Sequence, residues 1–494
     1  MQLNRTHLTF DDFIEYFLPS SIFRVYRGIK KVYKASKLFV NVFIINLFMI
    51  FYRKNNKAID LYRKVWRKRN SDIESKDIDK DLSSIRPFKI SVPDSVLDDL
   101  KSRLGRARLN TPSRNDNFYN GFNPEHLRKL KDYWKTKFDW RKHEQELNKY
   151  PQYKTKIGDI DVHFLHFKAS QHDSKLKMIP LLLIHNWPGS FADFQKVIPI
   201  LQTSCVEHGF VFEIVCPSIP GCGFSEAPHQ SGIVFTQTCP RFSTSSDGSM
   251  VYRILRPWLW LQPVFLMARY HPYRVKGMHV NMCFALPNLF DSFIKTLVVS
   301  ICPIFINKAE YNIIFPLKKK IRMLLQETGF LHMQCTKPDT FGYAMTDSPT
   351  ALAIHVLERF HFKKNSDHLE LQDGDLTGKF LDDLLTLVTI LWTSNDFTNG
   401  ARFFKQCISD VLQRTHENGI PLIVPSGVAF FPDEIFMLPK YMMESMVEDL
   451  VSYTVMPRGG HFSAIEEPQL LAKDICKFVQ LVENRSALKI KSLR

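Results

Sequence analysis

A histidine, a carboxylate and a backbone amide, each in a tight turn behind an apolar run, are the groups of this chain that could do chemistry together. His461 follows LVSYTV in MPRGGHFSAIEEP, where Gly459 and Gly460 permit a sharp turn ahead of a helix beginning near Glu466. An imidazole so placed suits general-base work near neutral pH. Behind GIPLIVPS comes VAFFPDEIF, in which Glu434 or its neighbour Asp433 could orient and charge-stabilise His461. Behind MIPLLLIH comes NWPGSF, a turn able to aim the Trp187 N–H at a developing oxyanion. A further turn, SIPGCGFSEAP from Ser218 to Pro228, follows another such run. Singly, each has a plain structural explanation, since strand-Pro-Gly is usually only a turn and most lone histidines are structural. Their shared order (turn, loop, acid, histidine) is what points to one site.

The elements that must hold these groups are legible as pattern. DVHFLHF, MIPLLLIH, FVFEIVCPSIPG, RVKGMHVNM, GIPLIVPSG and LVSYTVMP read as strands, with helical stretches between most of them. Continuous apolar strands alternating with helices predict a mostly parallel sheet covered on both faces. SVPDSVLDDLKSRLGRARL and HLRKLKDYWKTKFDW space their apolar residues as amphipathic helices. From about Leu286 to Leu412 helix-forming segments rich in Phe and Leu replace the alternation, as expected of a helical insertion between two strands.

Composition bounds the rest. A chain of 494 residues, 45% hydrophobic, can bury a large core. Its net charge of +16 is concentrated: residues 1–70 hold fifteen Lys/Arg against four Asp/Glu, which is +11. Those cations surround the apolar run Leu38 to Tyr52, so the charge predicts a membrane surface as partner and not nucleic acid. Fifteen residues including Asn41 and Asn46 fall short of the ~20 that cross a bilayer unaided, leaving spanning and interfacial arrangements both open. No small-residue cleavage site follows the run, so a removed signal peptide is not expected. Nine scattered cysteines without a CxxC pair indicate neither a disulfide framework nor a zinc site, and suit a reducing compartment.

The motifs together resemble the microsomal epoxide hydrolases, a membrane-anchored branch of the α/β-hydrolase fold that includes the insect juvenile hormone epoxide hydrolases. HNWPGS resembles that family's HGWPGS and SIPGCGFSEAP its SIPGYGFSEAP. Thr336 to Phe360 resembles its lid, and RGGHFSAIEEPQLLAKDI its histidine helix. The likeness runs from about Arg86 to Glu483 with one interruption. It implies a segment at 1–83 for membrane association, an N-terminal region at 84–170, hydrolase core at 171–285 and 413–494, and a lid at 286–412. It also implies a route: an aspartate opens an oxirane to a covalent ester, two lid tyrosines hydrogen-bond the epoxide oxygen, and a histidine with its acid activates water to release the diol. Carried over, His461 matches the base, Glu434 the acid and Trp187 the oxyanion-hole residue, with no cofactor and no metal. The substrate implied is an apolar epoxide or other hydrophobic small molecule. The place implied is the endoplasmic reticulum membrane, catalytic part facing the cytosol.

Three members of the implied machinery do not carry over. The family's GGDWGS stands some nineteen residues before the glycine of the VKG strand; counting back from Gly277 puts its aspartate at Trp258, within Arg256-Pro257-Trp258-Leu259-Trp260. Nowhere else does Gly-x-nucleophile-x-Gly occur, and Asp247 in SSDGS lies eleven residues before Trp258. Without a serine elbow, esterase chemistry ranks last. The two tyrosine positions, in ETGFLH and ARFFKQ, hold Phe330 and Phe404, which keep the packing and lack the proton donor. Residues 231–265 keep nearly the family's length while their content does not suit its helix, strand and elbow, as a shifted reading frame or decay of a duplicated gene would leave them. The expectation is an epoxide hydrolase frame with impaired turnover; the alternative is an inactive hydrolase-fold protein that binds a hydrophobic ligand or partner.

Overall fold

The structure, a computed structural model, describes most of residues 85–492; the larger exceptions are 112–117, 169–175, 229–250, 256–260, most of 282–314, 362–379 and 414–421. The apolar run 38–52, Asp247 and Trp258 therefore lie outside the described residues. The chain divides into two compact units, residues 1–75 with 287–327, and residues 76–286 with 328–494.

The larger unit is built on one nine-stranded sheet. Its strands are β1 (Arg86–Pro87), β2 (Gln152–Ile157), β3 (Ile160–Phe167), β4 (Lys177–Ile184), β5 (Phe210–Pro217), β6 (Val251–Leu255), β7 (Val275–Val280), β8 (Ser426–Phe430) and β9 (Leu450–Val455), in the spatial order β1-β2-β3-β5-β4-β6-β7-β8-β9. From β5 to β9 every neighbouring pair is parallel. β1, β2 and β3 add an antiparallel edge. The parallel block is apolar because both of its faces are covered: the last four residues of β4 and all five of β8 are buried.

The helices flank this sheet, and their ends are set by local chemistry. α1 (Asp94–Arg106) buries Leu97, Leu100 and Leu104, one stripe at helical spacing. α2 (Pro124–Thr136) starts where the Asn123 side chain accepts from the Glu125 and His126 N–H groups, with proline in the first turn. α3 (Trp140–Leu147) is capped in the same way by Asp139. α4 (Val197–Ser204) and the final helix, α14 (Pro468–Ser492), share one core with β4 and β5, in which Ile198, Leu201, Leu183, Ile214, Ile475 and Val479 are each fully or nearly fully buried. Burial of that extent is worth roughly 1.5–3 kcal/mol for each large apolar side chain.

The cysteine expectation needs correction here. Cys205, just past α4, and Cys476, on α14, form a disulfide between residues 271 apart in sequence, both buried. No spacing rule could pair them, because only the packing of α4 and α14 brings them together. Among the described residues Cys216, Cys222, Cys335 and Cys407 are in no disulfide.

α5 (Leu261–Tyr270) follows β6, and among the described residues the elements between β7 and β8 are helices. Within the larger unit they include α7 (Gly329–Thr336), α8 (Pro338–Asp347), α9 (Pro349–Leu357), α10 (Leu381–Ser394) and α11 (Phe397–Gln413). α6 (Leu317–Glu327) belongs to the smaller unit. α12 (Lys440–Met446) follows β8, and the single turn α13 (Ser463–Glu466) follows β9. Among the described residues no helix is long and apolar enough to cross a membrane.

Two expectations shift. The strand behind the acid is Ser426–Phe430; in the apolar run before it, residues 419–421 lie outside the described residues and Leu422 makes an isolated bridge to Val447. The segment whose content did not suit a strand and a helix forms both, β6 between β4 and β7, and then α5. Val251, Tyr252 and Ile254 are residue types that favour strands, and two apolar parallel neighbours complete the ladder.

Candidate active site

A parallel sheet delivers the carboxyl ends of its strands to one edge, which is where ligands meet open α/β sheets. The turn after β4, Asn281 after β7, the acid turn after β8 and the histidine turn after β9 all leave the sheet there.

The histidine and the acid meet. His461 Nδ1 lies 2.9 Å from Glu434 Oε2, and both side chains are almost wholly buried. A carboxylate accepts and cannot donate, so Nδ1 carries the proton and Nε2 is left as the basic nitrogen. Two backbone features set this geometry. Gly459, at φ +99°, takes a left-handed conformation that side chains resist, and the Asp433 N–H donates to the Gly459 carbonyl at 3.1 Å, tying the two turns together. Of the two acids, Glu434 is therefore the one that reaches the imidazole.

The Trp187 turn is held from both sides. His185, fully buried, accepts the Ile219 N–H on Nε2 at 3.0 Å, so its Nδ1 carries the proton and donates to the Asn186 carbonyl at 2.8 Å. Burial draws its pKa down to about 4, so it stays a neutral brace between the Trp187 turn and the Ser218–Pro228 loop. His163, drawn down by burial to about 3, supports that loop: Nε2 donates to Gln152 at 2.9 Å and Nδ1 accepts from the Ser218 hydroxyl at 2.8 Å. The Trp187–Pro188 peptide is cis, and Ser190 and Asp193 form a reciprocal cap on the short helix that follows.

From the insertion side, Trp187 Nε1 donates to Gln334 Oε1 at 2.8 Å, and Gln334 Nε2 donates to His355 Nε2 at 3.1 Å. Burial drives the His355 pKa well below its ordinary value, which keeps that nitrogen available as an acceptor. Gln334, His355 and Asn281, whose side-chain N–H donates to Ser463 Oγ at 2.5 Å, had no motif to announce them. Their only signal is a polar residue inside or at the end of an apolar run.

Phe330 is half-buried, with the Arg359 guanidinium 3.4 Å above its ring, while Phe404 is fully buried on α11. Trp258, where the resemblance puts the nucleophile, lies outside the described residues, in the stretch of sequence between β6 and α5. Among the described residues no group of His, Cys, Asp and Glu could hold a metal ion.

Comparison with known proteins agrees with this frame. The family profile described as "Epoxide hydrolase N terminus" matches residues 85–194. Epoxide hydrolase 1 of Sus scrofa is 39% identical over 420 residues, 81% of this chain and 90% of that protein. Juvenile hormone epoxide hydrolase 2 of Ctenocephalides felis is 38% identical over 402 residues, covering 81% and 86%. Among solved structures, juvenile hormone epoxide hydrolase from the silkworm Bombyx mori superposes with a TM-score of 0.76 at 29% identity, covering 82% of this chain and 96% of that one. Fold, motif order and extended identity converge, and the chain belongs to the epoxide hydrolase family that includes epoxide hydrolase 1 and the juvenile hormone epoxide hydrolases.

Proposed function

We propose that this protein is an epoxide hydrolase by descent whose water-activating half is assembled and whose ester-forming half is lacking in the sequence as it stands. The observation that carries the reading is the His461–Glu434 hydrogen bond at the carboxyl edge of the parallel sheet. In the full reaction a carboxylate attacks an oxirane carbon and the ring C–O bond breaks, the oxygen taking a proton. Water, losing a proton to His461 Nε2, then attacks the ester carbonyl while the Trp187 N–H steadies the oxyanion. Glu434 holds the imidazolium that forms. The second step has its residues; the first does not, because Arg256-Pro257-Trp258-Leu259-Trp260 offers no nucleophile and Phe330 and Phe404 offer no hydroxyl.

The substrate class is an apolar epoxide, in keeping with the names of the relatives. Residence at the endoplasmic reticulum membrane, through the run 38–52, follows from the family resemblance and the basic flanks. The expected cytosolic face meets one contrary observation, the buried Cys205–Cys476 disulfide, a bond that oxidising compartments preserve. The deciding experiment is turnover by the purified full chain on a styrene-oxide-type substrate. No diol above the uncatalysed rate is expected, and turnover abolished by His461→Ala would overturn the reading.

A second reading, binding without turnover, is favoured by Phe404, whose fully buried ring keeps the lid packed without its hydroxyl. Thermal stabilisation by an apolar epoxide in the absence of turnover would support it, and no shift with any such ligand would count against it.

A further inference from the structure

We propose that α6 is an interfacial helix that lies on an anionic lipid surface, a second membrane contact located inside the insertion and separate from the run 38–52. Its eleven residues, LKKKIRMLLQE, bury none of their side chains, although five are Leu, Ile or Met. At about 100° per residue, Leu317, Ile321, Leu324 and Leu325 fall on one arc of the helix. Lys318 borders that arc on one side and Lys320 on the other, while Lys319 and Arg322 stand opposite. Lysines bordering an apolar stripe can bury their stems and keep their ammonium groups among headgroups. The arc is not sealed within the protein, since Leu325 is 77% exposed.

The charge points to lipid. Leu317 to Gln326 contains four cations and no acid, and Glu327 enters only at the end. Core-facing helices of the larger unit differ: α10 buries nine consecutive residues, Leu384 to Trp392. The division of the chain agrees, because α6 falls in the same unit as residues 1–75 and outside the one that carries the sheet and the His461–Glu434 pair. An amphipathic helix with cations on its polar side and exposed leucine on its apolar edge is the form that binds an anionic interface. Each cation held near such a surface adds roughly fivefold to affinity, an effect that salt screens.

Hydrogen exchange with mass readout on the full chain tests this, comparing vesicles that contain phosphatidylserine with vesicles of phosphatidylcholine alone. The peptide covering 317–327 should be slowed by at least about tenfold on the anionic vesicles. Raising the salt concentration on the unmodified protein should release that protection, and Lys318→Glu/Lys319→Glu/Arg322→Glu should abolish it. A chain that stays on the vesicles while 317–327 exchanges as in solution overturns the proposal and leaves the run 38–52 to hold the membrane alone. Protection of 317–327 on a chain shortened of that run would instead remove the run's role and sustain this one.

Discussion

At the scale of single residues the sequence was most informative where a side chain has one job and a fixed place in a motif. Glu434 and His461 could be paired by their positions behind two strands, and they stand 2.9 Å apart. Gln334 and His355 could not be found in this way, because a buried polar residue within a helix differs from its neighbours only through contacts made across the fold. The missing nucleophile yields a direct test: Trp258→Asp should let the chain form a covalent ester with an epoxide, trapped by acid quenching and seen as a mass increase. Ester release should then depend on His461, and Phe330→Tyr with Phe404→Tyr should each raise the rate, on the order of ~100-fold for a restored transition-state donor. Absence of an adduct in the Trp258→Asp chain would show that position 258 is not presented to substrate. Asp396, just ahead of α11, makes a pH prediction. Burial raises its carboxyl to about 7, against the hydrogen bonds from Ser394 and Asn399 and the pull of Lys154. The unfolded chain ionises this group near the ordinary carboxylate value while the folded chain resists, so its contribution to stability is full below that value, is lost as pH rises through about 7, and stays lost above. Asp396→Asn should therefore stabilise the protein at pH 8 by up to about 4 kcal/mol and change little at pH 4, read by urea unfolding at the two values.

At the scale of elements, hydrophobic period recovered the sheet's parallel block and the helical character of the insertion, and it failed where neighbours decide. The apolar run ending in Val424 reads as the strand before the acid, yet the named strand is Ser426–Phe430, whose small Gly427 permits close packing against Phe478 and Ser452. The content of residues 231–265 does not suit a strand, yet β6 forms between β4 and β7, whose parallel ladders pair with it on both sides. The seating of the insertion on the sheet depends on two glycines that the sequence does not mark. A Cβ on Gly400 of α11 would stand 2.1 Å from the Trp187 ring, and one on Gly342 of α8 would stand 2.3 Å from the Thr398 hydroxyl. Gly400→Ala must displace the indole or the helix, and with it the Trp187–Gln334 bond. A loss of roughly 1–3 kcal/mol is expected by chemical denaturation, as for other overpacked cores. An unchanged midpoint would mean that α11 moves off the Trp187 turn without resistance.

At the scale of the whole molecule, the Cys205–Cys476 disulfide makes a statement that neither composition nor period contained. It joins a loop near the start of the hydrolase core to the last helix of the chain, closing 271 residues that include β6, the insertion and the acid turn. Cross-links that close long loops remove much of the freedom of the unfolded chain, so losing this one should cost roughly 2–4 kcal/mol by the chain-entropy account. Cys205→Ser/Cys476→Ser should unfold at lower denaturant, and reductant should shift the parent toward the variant while leaving the variant unmoved. The same bond bears on where the body resides, since a cytosolic glutathione pool keeps most protein thiols reduced. Protein extracted from microsomes under alkylating conditions should yield the linked peptide with both cysteines protected, and the body should resist protease added outside sealed vesicles. Linked cysteines on a body that external protease digests would place an oxidised pair on the reducing side, so that burial of both sulfurs, and not compartment, would be what preserves the bond.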